Sequence, residues 1–387
     1  MSNLLQRKIE RTKAMKFNID KGCFYEALSD LSRSISAKAE PHIMSGIKIT
    51  AHTEGLTLIV CNHLFFIERT IPIGTDKMLT IYETGSVVAP AKHLVDLVKK
   101  LPEELTVELM DRHKLSIKTD EISVVLSCFD VETYPKLPVL NLNNSVQIPG
   151  SLLNEILSQT AFAASSSDTR TVLTGLLVTF QDNKIKCAAT NSHRLALREC
   201  DIETDIEGSY ILPLASVKDF MRLFNDSVDM ITVYVSENYL VFKALNLAMY
   251  TRLIEGNYPD LDSLIPAHPK TMITVQTSKL LKGIDRASLF NRESRNNNVK
   301  LELMHGSTLK ISSYSPDLGN IEEIQQIIEL HGEKELSLSL NSTFLIEALK
   351  AFTEEEVKLN FTGSMRPILI KPNSNKRHLH LISPVRG

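Results

Sequence analysis

The chain repeats one pattern three times, with a period of roughly 125 residues that is the size of a domain and too long for a solenoid repeat. Each third opens with a segment whose apolar residues fall at positions i, i+3, i+4 and i+7, along one face of an α-helix. The polar Thr160 and the bare Gly283 make this stripe weaker in the second and third copies. The stripe positions are Phe24, Ala27, Leu28 and Leu31, then Leu153, Ile156, Leu157 and Thr160, then Leu280, Gly283, Ile284 and Ala287.

A pair of strands follows each of these helices, marked by alternation of residue type with period two. A glycine and an asparagine stand 16 positions apart in the first two copies, at Gly46 and Asn62 and at Gly175 and Asn191. The third copy is about one residue longer and lacks this glycine. The predicted strands are residues 46–49 and 56–62, then 175–178 and 185–191, then 298–301 and 309–312.

A second amphipathic helix and a set of closing strands complete each third. Asn341 is a plausible N-cap for the last of these helices. The closing strands begin near residues 105, 231 and 357, and the first two copies end in Tyr134-Pro and Tyr258-Pro. Because the residue before proline is pushed to extended geometry, these tyrosines read as exits into linkers. The second stripes are Ala91, Leu94, Val95 and Val98, then Val217, Phe220, Met221 and Phe224, then Leu345, Ala348, Leu349 and Phe352.

The helix–strands order occurs twice within each third, which predicts an α+β fold with the helices on one face of an antiparallel sheet. We therefore expect three repeated domains, each a doubled helix-plus-antiparallel-strands unit. The predicted boundaries are 15–142, 143–268 and 269–387, with residues 1–14 as an N-terminal extension.

Composition places the chain among ordinary globular proteins, with 387 residues, 43% of them hydrophobic, and a net charge of −3. No apolar run approaches the ~20 residues that a membrane helix needs, and the first residues contain no apolar signal core. The five cysteines are scattered without CxxC spacing, which is typical of reduced thiols in a cytoplasmic protein. We read Cys61 and Cys187, which fall in equivalent strands, as core residues.

No catalytic pattern stands out: the sequence contains no P-loop, no GxGxxG and no GxSxG motif, and nothing that indicates a cofactor. His193 beside Arg194 is better read as a hydrogen-bonded loop histidine than as a catalytic pair. His378 and His380 share a strand face and could hold a metal, but the sequence offers no third ligand nearby, so an exposed strand is the better interpretation. A cytosolic multi-domain hydrolase remains the alternative from another class; it would need ionisable side chains clustered in a cleft.

The repeat and four local motifs resemble the bacterial beta sliding clamp family over essentially the whole chain from Met15. The motifs are residues 173–175 (LTG), 190–196 (TNSHRLA), 255–260 (EGNYPD) and 383–386 (SPVR). The resemblance implies a non-catalytic homodimer of three-domain chains, arranged head to tail as a ring around double-stranded DNA, without reading its sequence. It also implies that DNA polymerase and clamp-loader subunits bind through a short peptide motif. An adaptor paralogue with the same fold, not serving the main replicase, is the other reading.

The resemblance carries three sets of site residues onto this sequence. A peptide slot between the second and third domains would comprise Leu173, Thr190, Ser192, His193, Arg194, Leu195, Pro259, Leu264, Met365, Pro367, Leu381, Pro384, Val385 and Arg386, with His193, Arg194 and Arg386 as donors at its rim. Helix residues facing DNA would comprise Arg33, Lys38, Lys92, Lys99, Lys100, Lys218, Arg222, Lys279, Lys282, Arg286, Arg292 and Arg295. The dimer contact would pair edge strands, with Val124 and Leu126 against Leu289 and Phe290 of the second copy.

The sequence also departs from the family pattern. Asn191 stands where the family usually carries aspartate, and residues 38–42 replace a loop that helps contact DNA in the family. Ser383 and Gly387 replace bulkier apolar residues near the C-terminus. These departures predict a divergent or second-copy member that binds partner peptides more weakly than a typical one.

Overall fold

The computed structural model describes residues 15–35, 42–74, 78–140, 143–224, 228–290, 297–304, 307–374 and 377–385. The predicted extension 1–14 and the candidate residues Lys38, Arg292, Arg295 and Arg386 lie outside the described residues.

The described residues contain two α-helices in each repeat, as predicted. They are α1 (Lys21–Ser32), α2 (Ala91–Val98), α3 (Gly150–Ala161), α4 (Leu214–Leu223), α5 (Thr277–Ser288) and α6 (Ser342–Lys350). In α1, α3 and α5 all four stripe positions are buried, including the two weak ones. The Thr160 hydroxyl donates to the Ile156 carbonyl at 2.7 Å, which satisfies its buried oxygen. At Gly283 a Cβ atom would lie 2.7 Å from Ile311, so close packing explains the glycine in the stripe.

The strands also repeat, and each repeat opens with a short strand that the sequence patterns missed. The first repeat holds β1 (Lys16–Asp20), β2 (Gly46–His52), β3 (Gly55–Cys61), β4 (Phe65–Pro72), β5 (Leu79–Glu83), β6 (Gly85–Pro90), β7 (Glu104–Asp111), β8 (Lys114–Lys118) and β9 (Ser123–Ser127). The second holds β10 (Ser145–Pro149), β11 (Gly175–Gln181), β12 (Lys184–Thr190), β13 (Arg194–Asp201), β14 (Gly208–Pro213), β15 (Met230–Val235), β16 (Tyr239–Ala244) and β17 (Leu247–Arg252). The third holds β18 (Thr271–Gln276), β19 (Asn298–Met304), β20 (Thr308–Ser315), β21 (Gly319–Gln326), β22 (Glu329–Gly332), β23 (Leu336–Asn341), β24 (Glu356–Phe361), β25 (Ile368–Pro372) and β26 (His378–Ile382).

The chain packs as two compact units that do not coincide with the sequence repeats. The first unit runs to Ser145 and also includes Ile231–Arg252; the second comprises Val146–Met230 and the chain from Leu253 onward. The reason is strand pairing: β17, from the second repeat, pairs antiparallel with β4, from the first. The unit boundary therefore cuts through the second repeat.

Within the first unit, one sheet runs in the order β5-β1-β7-β8-β9, and a second contains β15-β16-β17-β4-β3-β2-β6. Within the second unit, a nine-stranded sheet has the order β14-β11-β12-β13-β26-β25-β24-β18-β22, and a four-stranded sheet has the order β21-β20-β19-β23. The strands are antiparallel throughout their described pairings, as the α+β prediction requires.

Two of these pairings join successive repeats in the same way. In each repeat the third strand of the first strand set is β4, β13 or β21, and the last strand is β9, β17 or β26. The structure pairs β4 with β17 and β13 with β26. Of the six strands, β9 and β21 remain as sheet edges in the part of the chain that is described.

Two tyrosines, the buried Tyr134 and the partly buried Tyr258, anchor the predicted exit segments. The Tyr134 hydroxyl lies 3.3 Å from the Gly46 carbonyl oxygen and 3.2 Å from that of Ile59, and it donates to them. The Tyr258 hydroxyl donates to the Gly175 carbonyl at 3.4 Å. The sequence identified both tyrosines as exits, and the structure adds that each exit is tied to the first strand pair of its own repeat.

Candidate partner and DNA interfaces

An apolar cluster covers the face of β13 and β26 that points away from the helices. Leu195 lies opposite Leu381 in the register of these two strands. Both are buried, at 2% and 6% exposure. We call this the slot cluster; it comprises Ala188, Leu195, Leu197, Leu261 and Leu381, with Leu177, Tyr258, Ile265 and Leu379 packed against it.

A tight turn between β12 and β13 borders the slot cluster; we call residues 190–194 the slot turn. The Thr190 hydroxyl donates to the Arg194 carbonyl at 2.6 Å. The Asn191 side-chain oxygen accepts from the backbone N–H groups of His193 and Arg194, each at 3.0 Å. Ser192 has a φ of 73°, a left-handed conformation that a non-glycine residue adopts only when neighbouring contacts hold it. The exposed His193 stands at the outside of this turn.

The exit segment after β17 forms one side of the slot cluster. The Tyr258 hydroxyl accepts a hydrogen bond from the backbone N–H of Thr190 at 3.1 Å, which joins this segment to the slot turn. Lys186 on β12 lies 2.9 Å from the Asp262 carboxylate and holds the segment over the sheet. Leu261 is 4% exposed inside the cluster, whereas the predicted Leu264 is 46% exposed. Leu261 is therefore a slot residue that the sequence patterns did not predict.

The other predicted slot residues differ from one another in their exposure to solvent. Pro259 and Met365 are exposed, while Pro367, Pro384 and Val385 are partly buried. Leu173 is 3% exposed, in the 3-10 helix Asp168–Thr174 that precedes β11. The backbone N–H of Ser383 donates to the His193 carbonyl at 2.8 Å, which brings the end of the described chain onto the slot turn. The slot cluster as described does not include Leu173, Leu264 or Met365.

Arg194 does not sit at the rim of the slot, and that prediction is wrong. Its side chain is buried, at 8% exposure, on the helix side of the sheet. It donates to the Glu347 carboxylate on α6 and to the Phe162 carbonyl at the end of α3. Its guanidinium carbon lies 4.4 Å from the centre of the Phe344 ring. Alternation along β13 sends Leu195 to the slot and therefore Arg194 to the opposite face.

The interpretation of His378 and His380 as part of an exposed strand is also wrong. Both are 1% exposed, on the face of β26 that carries the helices. Their Nε2 atoms lie 2.9 Å apart, so one ring donates to the other. Burial, together with the nearby Arg198, lowers the pKa of His378 to about 3. Burial, with His378 and Arg194 beside it, lowers the pKa of His380 as well.

We expect this pair to make the second unit acid-sensitive. The pKa of His378 is 6.5 before burial and about 3 in the folded chain, so between these values the unfolded chain binds more protons. Burial of the neutral His378 ring therefore costs no stability above pH 6.5. As the pH falls from 6.5 toward 3, the free energy of unfolding decreases. At pH 4.5 the loss for one such group is about 2–3 kcal/mol.

Urea denaturation at pH 7.5 and 4.5 measures this loss. His378→Gln should reduce the difference in unfolding free energy between the two pH values by about 2–3 kcal/mol. His331→Gln, at an exposed histidine on β22, should leave the difference unchanged. Equal pH sensitivity in the wild type and His378→Gln would show that the pair has no such role.

Most of the predicted DNA-facing cations are exposed, either on the helices or just after a helix end. The exposed ones are Arg33, Lys92, Lys99, Lys100, Lys218, Lys279, Lys282 and Arg286. Arg286 makes a bidentate ion pair with Glu323 on β21, with distances of 2.7 and 2.8 Å. Arg222 is partly buried and pairs with Asp219 on its own helix. Sequence reasoning did not identify these two acidic partners. Glu323 is distant along the chain, whereas Asp219 stands at helical i, i+3 spacing, a signal from which its pairing with Arg222 could have been predicted.

The predicted dimer residues lie on the edge strand β9 and in the segment that follows α5. Val124 and Leu126 alternate with exposed residues on the edge strand β9 and are themselves partly exposed. Leu289 follows α5 with 51% of its surface exposed, and Phe290 beside it is partly buried. Ile324, on the edge strand β21, is 62% exposed.

Within the described ranges, no three or more histidine, cysteine, aspartate or glutamate side chains are grouped so that they could hold a metal ion. Cys61 and Cys187 are buried in the equivalent strands β3 and β12, which confirms their reading as core residues. No helix of the described chain has the length and apolar content to span a membrane.

Comparison with known proteins gives the same family for all three repeats. Family models described as the N-terminal, central and C-terminal domains of the DNA polymerase III beta subunit match residues 15–138, 147–260 and 262–386. The beta sliding clamp of Bacillus subtilis is 36% identical over 377 residues, covering 96% of this chain and 100% of the relative.

Solved structures that resemble this chain come from the same family. The DNA polymerase sliding clamp of Bacillus subtilis matches with a TM-score of 0.93 at 36% identity, covering 96% of this chain and 99% of that one. The DNA polymerase III beta chain of Streptococcus pneumoniae matches with a TM-score of 0.92 at 31% identity, covering 96% and 100%. The chain belongs to the DNA polymerase III beta subunit family, the bacterial beta sliding clamps.

Proposed function

We propose that this protein is a DNA sliding clamp: two copies join head to tail as a ring around duplex DNA and tether a polymerase to it, without catalysing a reaction. Relatives at 33–36% identity over 96% of the chain carry the name beta sliding clamp. The proposal includes three domains with the boundaries 15–142, 143–268 and 269–387, and cytoplasmic location.

The observation that carries the ring is the strand left over at each end of the repeat series. The third strand of one repeat pairs with the last strand of the next at β4–β17 and at β13–β26. The same rule applied to β21 and β9 requires a second copy, because both are edges within the described chain. Two such contacts close a dimer with twofold symmetry, although each contact joins different surfaces.

Apolar side chains support this contact. Val124 and Leu126 on β9 face one way along their edge, and Leu289 and Phe290 lie after α5 in the repeat that supplies β21. Exposed apolar edges in a soluble protein are liable to pair with another chain. A dimer contact between them removes both edges at once.

The helices provide the DNA-facing surface in this proposal. Exposed cations recur on α2 and α5 and at the helix ends, and such charges attract phosphates without reading bases. A protein that moves along DNA needs this kind of contact, because base-specific bonds would hold it at one sequence. Arg286 contributes less than Lys282, since Glu323 already neutralises it.

Four lysines give the test, two directly after α2 and two on α5. Replacing Lys99, Lys100, Lys279 and Lys282 by alanine should weaken DNA binding equally for unrelated duplex sequences. The slope of log K against log salt concentration should fall by as much as roughly 3 to 4 for each chain of the ring, since each lost phosphate contact removes about 0.9. Fluorescence anisotropy between 50 and 200 mM salt measures both quantities.

A matched control removes the same charge elsewhere. Lys118, Lys136, Lys243 and Lys334 are exposed and lie outside the helices, and their replacement by alanine changes the net charge by the same amount. The control should keep the wild-type slope. If the control and the helix variant lower the slope alike, the helices are not the DNA-facing surface.

The slot cluster provides the partner site in this proposal. Leucine side chains bordered by an exposed histidine and by backbone groups of the slot turn suit a short peptide with leucine and phenylalanine anchors. Polymerase and clamp-loader subunits that carry such a peptide are the proposed partners. Affinity is expected to be weak, because a peptide of about 5–6 residues is ordered on binding.

A further inference from the structure

The chain places an arginine where the fold itself needs only an apolar residue. The turn before β4 matches the slot turn: the Asn62 side-chain oxygen accepts from the backbone N–H groups of Leu64 and Phe65, at 2.8 and 3.0 Å. Phe65 therefore occupies in the first repeat the position that Arg194 occupies in the second. Phe65 is 2% exposed in an apolar core, so the repeat folds without a charge there.

Arg194 joins the two sides of the sheet. Its backbone closes the slot turn, with the carbonyl accepting from Thr190 and the N–H donating to Asn191. Its side chain on the other side is fixed by Glu347, by the Phe162 carbonyl and by the ring of Phe344. A buried guanidinium needs these partners, because an unpaired buried charge is strongly unfavourable.

Both borders of the slot depend on the position of this residue. The slot turn contains the left-handed Ser192, which a change in the backbone of Arg194 would release. Arg194 also lies opposite Ile382 in the register of β13 and β26, and the next residue, Ser383, donates to the His193 carbonyl. A shift of Arg194 therefore moves the turn and the C-terminal segment together.

We infer that Arg194 is a positioning residue for peptide binding, and that Glu347, on the far side of the sheet, controls the affinity of the slot through it. Arg194 donates nothing to the peptide, since its guanidinium faces α3 and α6. The inference rests on the proposed function of the slot cluster as the peptide site. It assigns Glu347, on a helix away from the slot, a role in partner binding.

The experiment measures binding of a synthetic hexapeptide with leucine and phenylalanine anchors by calorimetry, in the full chain. Glu347→Gln should weaken binding about tenfold, and Glu347→Asp should restore most of the loss. Arg194→Met, alone or combined with Glu347→Gln, should bind the peptide with an affinity within a factor of about three of that of Glu347→Gln alone. Glu355→Gln, an exposed acid beyond α6, should bind as the wild type does.

Hydrogen exchange gives a readout that needs no peptide. The backbone amides of residues 192–194 should exchange faster in Glu347→Gln and return toward wild-type rates in Glu347→Asp, while the β3 amides stay unchanged. Wild-type affinity and wild-type exchange in Glu347→Gln would overturn the inference. So would a loss of binding in Arg194→Met much larger than in Glu347→Gln, because the guanidinium would then contact the peptide.

Leu261→Ala, inside the slot cluster, separates this inference from the proposal on which it rests. If Leu261→Ala abolishes peptide binding and Glu347→Gln leaves it intact, the slot is correct and the inference alone is wrong. If the peptide binds Leu261→Ala as tightly as wild type, the peptide site lies elsewhere and both are contradicted.

Discussion

Replacing Leu289 and Phe290 together by aspartate is expected to produce a folded monomer. In the proposed dimer these side chains lie behind the paired edges β9 and β21, and two carboxylates there would be buried without partners. Each unpaired buried charge costs several kcal/mol, so the dissociation constant should rise by more than about 1000-fold. Light scattering at micromolar concentration should report the chain mass of 43.4 kDa for the variant and twice that mass for the wild type.

A charged substitution at an unrelated exposed leucine is the control. Leu245, in the turn between β16 and β17, is 90% exposed, and Leu245→Asp should remain a dimer. Circular dichroism must show that the double variant is folded. A dimeric double variant, or a monomeric wild type, would contradict the assigned contact.

Truncating Leu173, a predicted slot residue outside the slot cluster, together with the C-terminal segment is expected to have the second large effect. Leu173→Ala combined with deletion of residues 384–387 should abolish binding of a peptide with leucine and phenylalanine anchors. Leu173 is buried beside β11, and truncating a buried leucine to alanine typically lowers the free energy of unfolding by 2–5 kcal/mol. The backbone N–H of Val385 donates to the Ser339 carbonyl at 2.9 Å, so the deletion also removes a tether of the C-terminal segment.

Calorimetry with the peptide decides the outcome, and two measurements keep it specific. The variant should remain a dimer and retain DNA binding, since neither edge strand nor any helix lysine changes. Leu58→Ala, a truncation of an equally buried leucine in β3, should lower stability and leave peptide affinity unchanged. If Leu58→Ala also abolishes peptide binding, the loss reflects general destabilisation and the slot assignment fails.

The slot turn gives Asn191 a structural role. This residue, in place of the aspartate usual in the family, is one of the departures that predict weaker peptide binding. In the structure its side-chain oxygen accepts the two backbone N–H groups that close the turn, as Asn62 does in the first repeat. An amide oxygen accepts these hydrogen bonds as a carboxylate would. The weaker peptide affinity expected from Asn191 stays a prediction, and the peptide measurement tests it.

Local patterns were sufficient to predict the helices, the first strand pair of each repeat and the start of its closing strands. The i, i+3, i+4, i+7 stripes are buried in all three first helices, and the side chain of Asn341 caps α6 by accepting from the Phe344 N–H at 3.1 Å. These features depend on residues close together in sequence, where spacing alone fixes the geometry. The opening strands β1, β10 and β18 are only five or six residues long and were missed.

The errors at the candidate site have one physical origin. Alternation along a strand indicates which residues share a face of the sheet. The pairing of distant strands decides which of the two faces the helices cover. Arg194 and His380 lie on the helix side because β13 pairs with β26 across nearly 190 residues of chain, a partnership that neither strand's own sequence specifies. The same long-range pairing buries His378, which on an isolated strand would be exposed.

Retention on DNA is the most direct test of the central claim that two chains encircle the duplex. Protein loaded by a bacterial clamp loader and ATP onto nicked circular DNA should co-elute with it in gel filtration at a salt concentration that abolishes simple phosphate binding. Cutting the circle once should release the protein, because a ring can slide off a free end. Equal retention on circular and linear DNA, or no retention on the circle, would contradict a topological link.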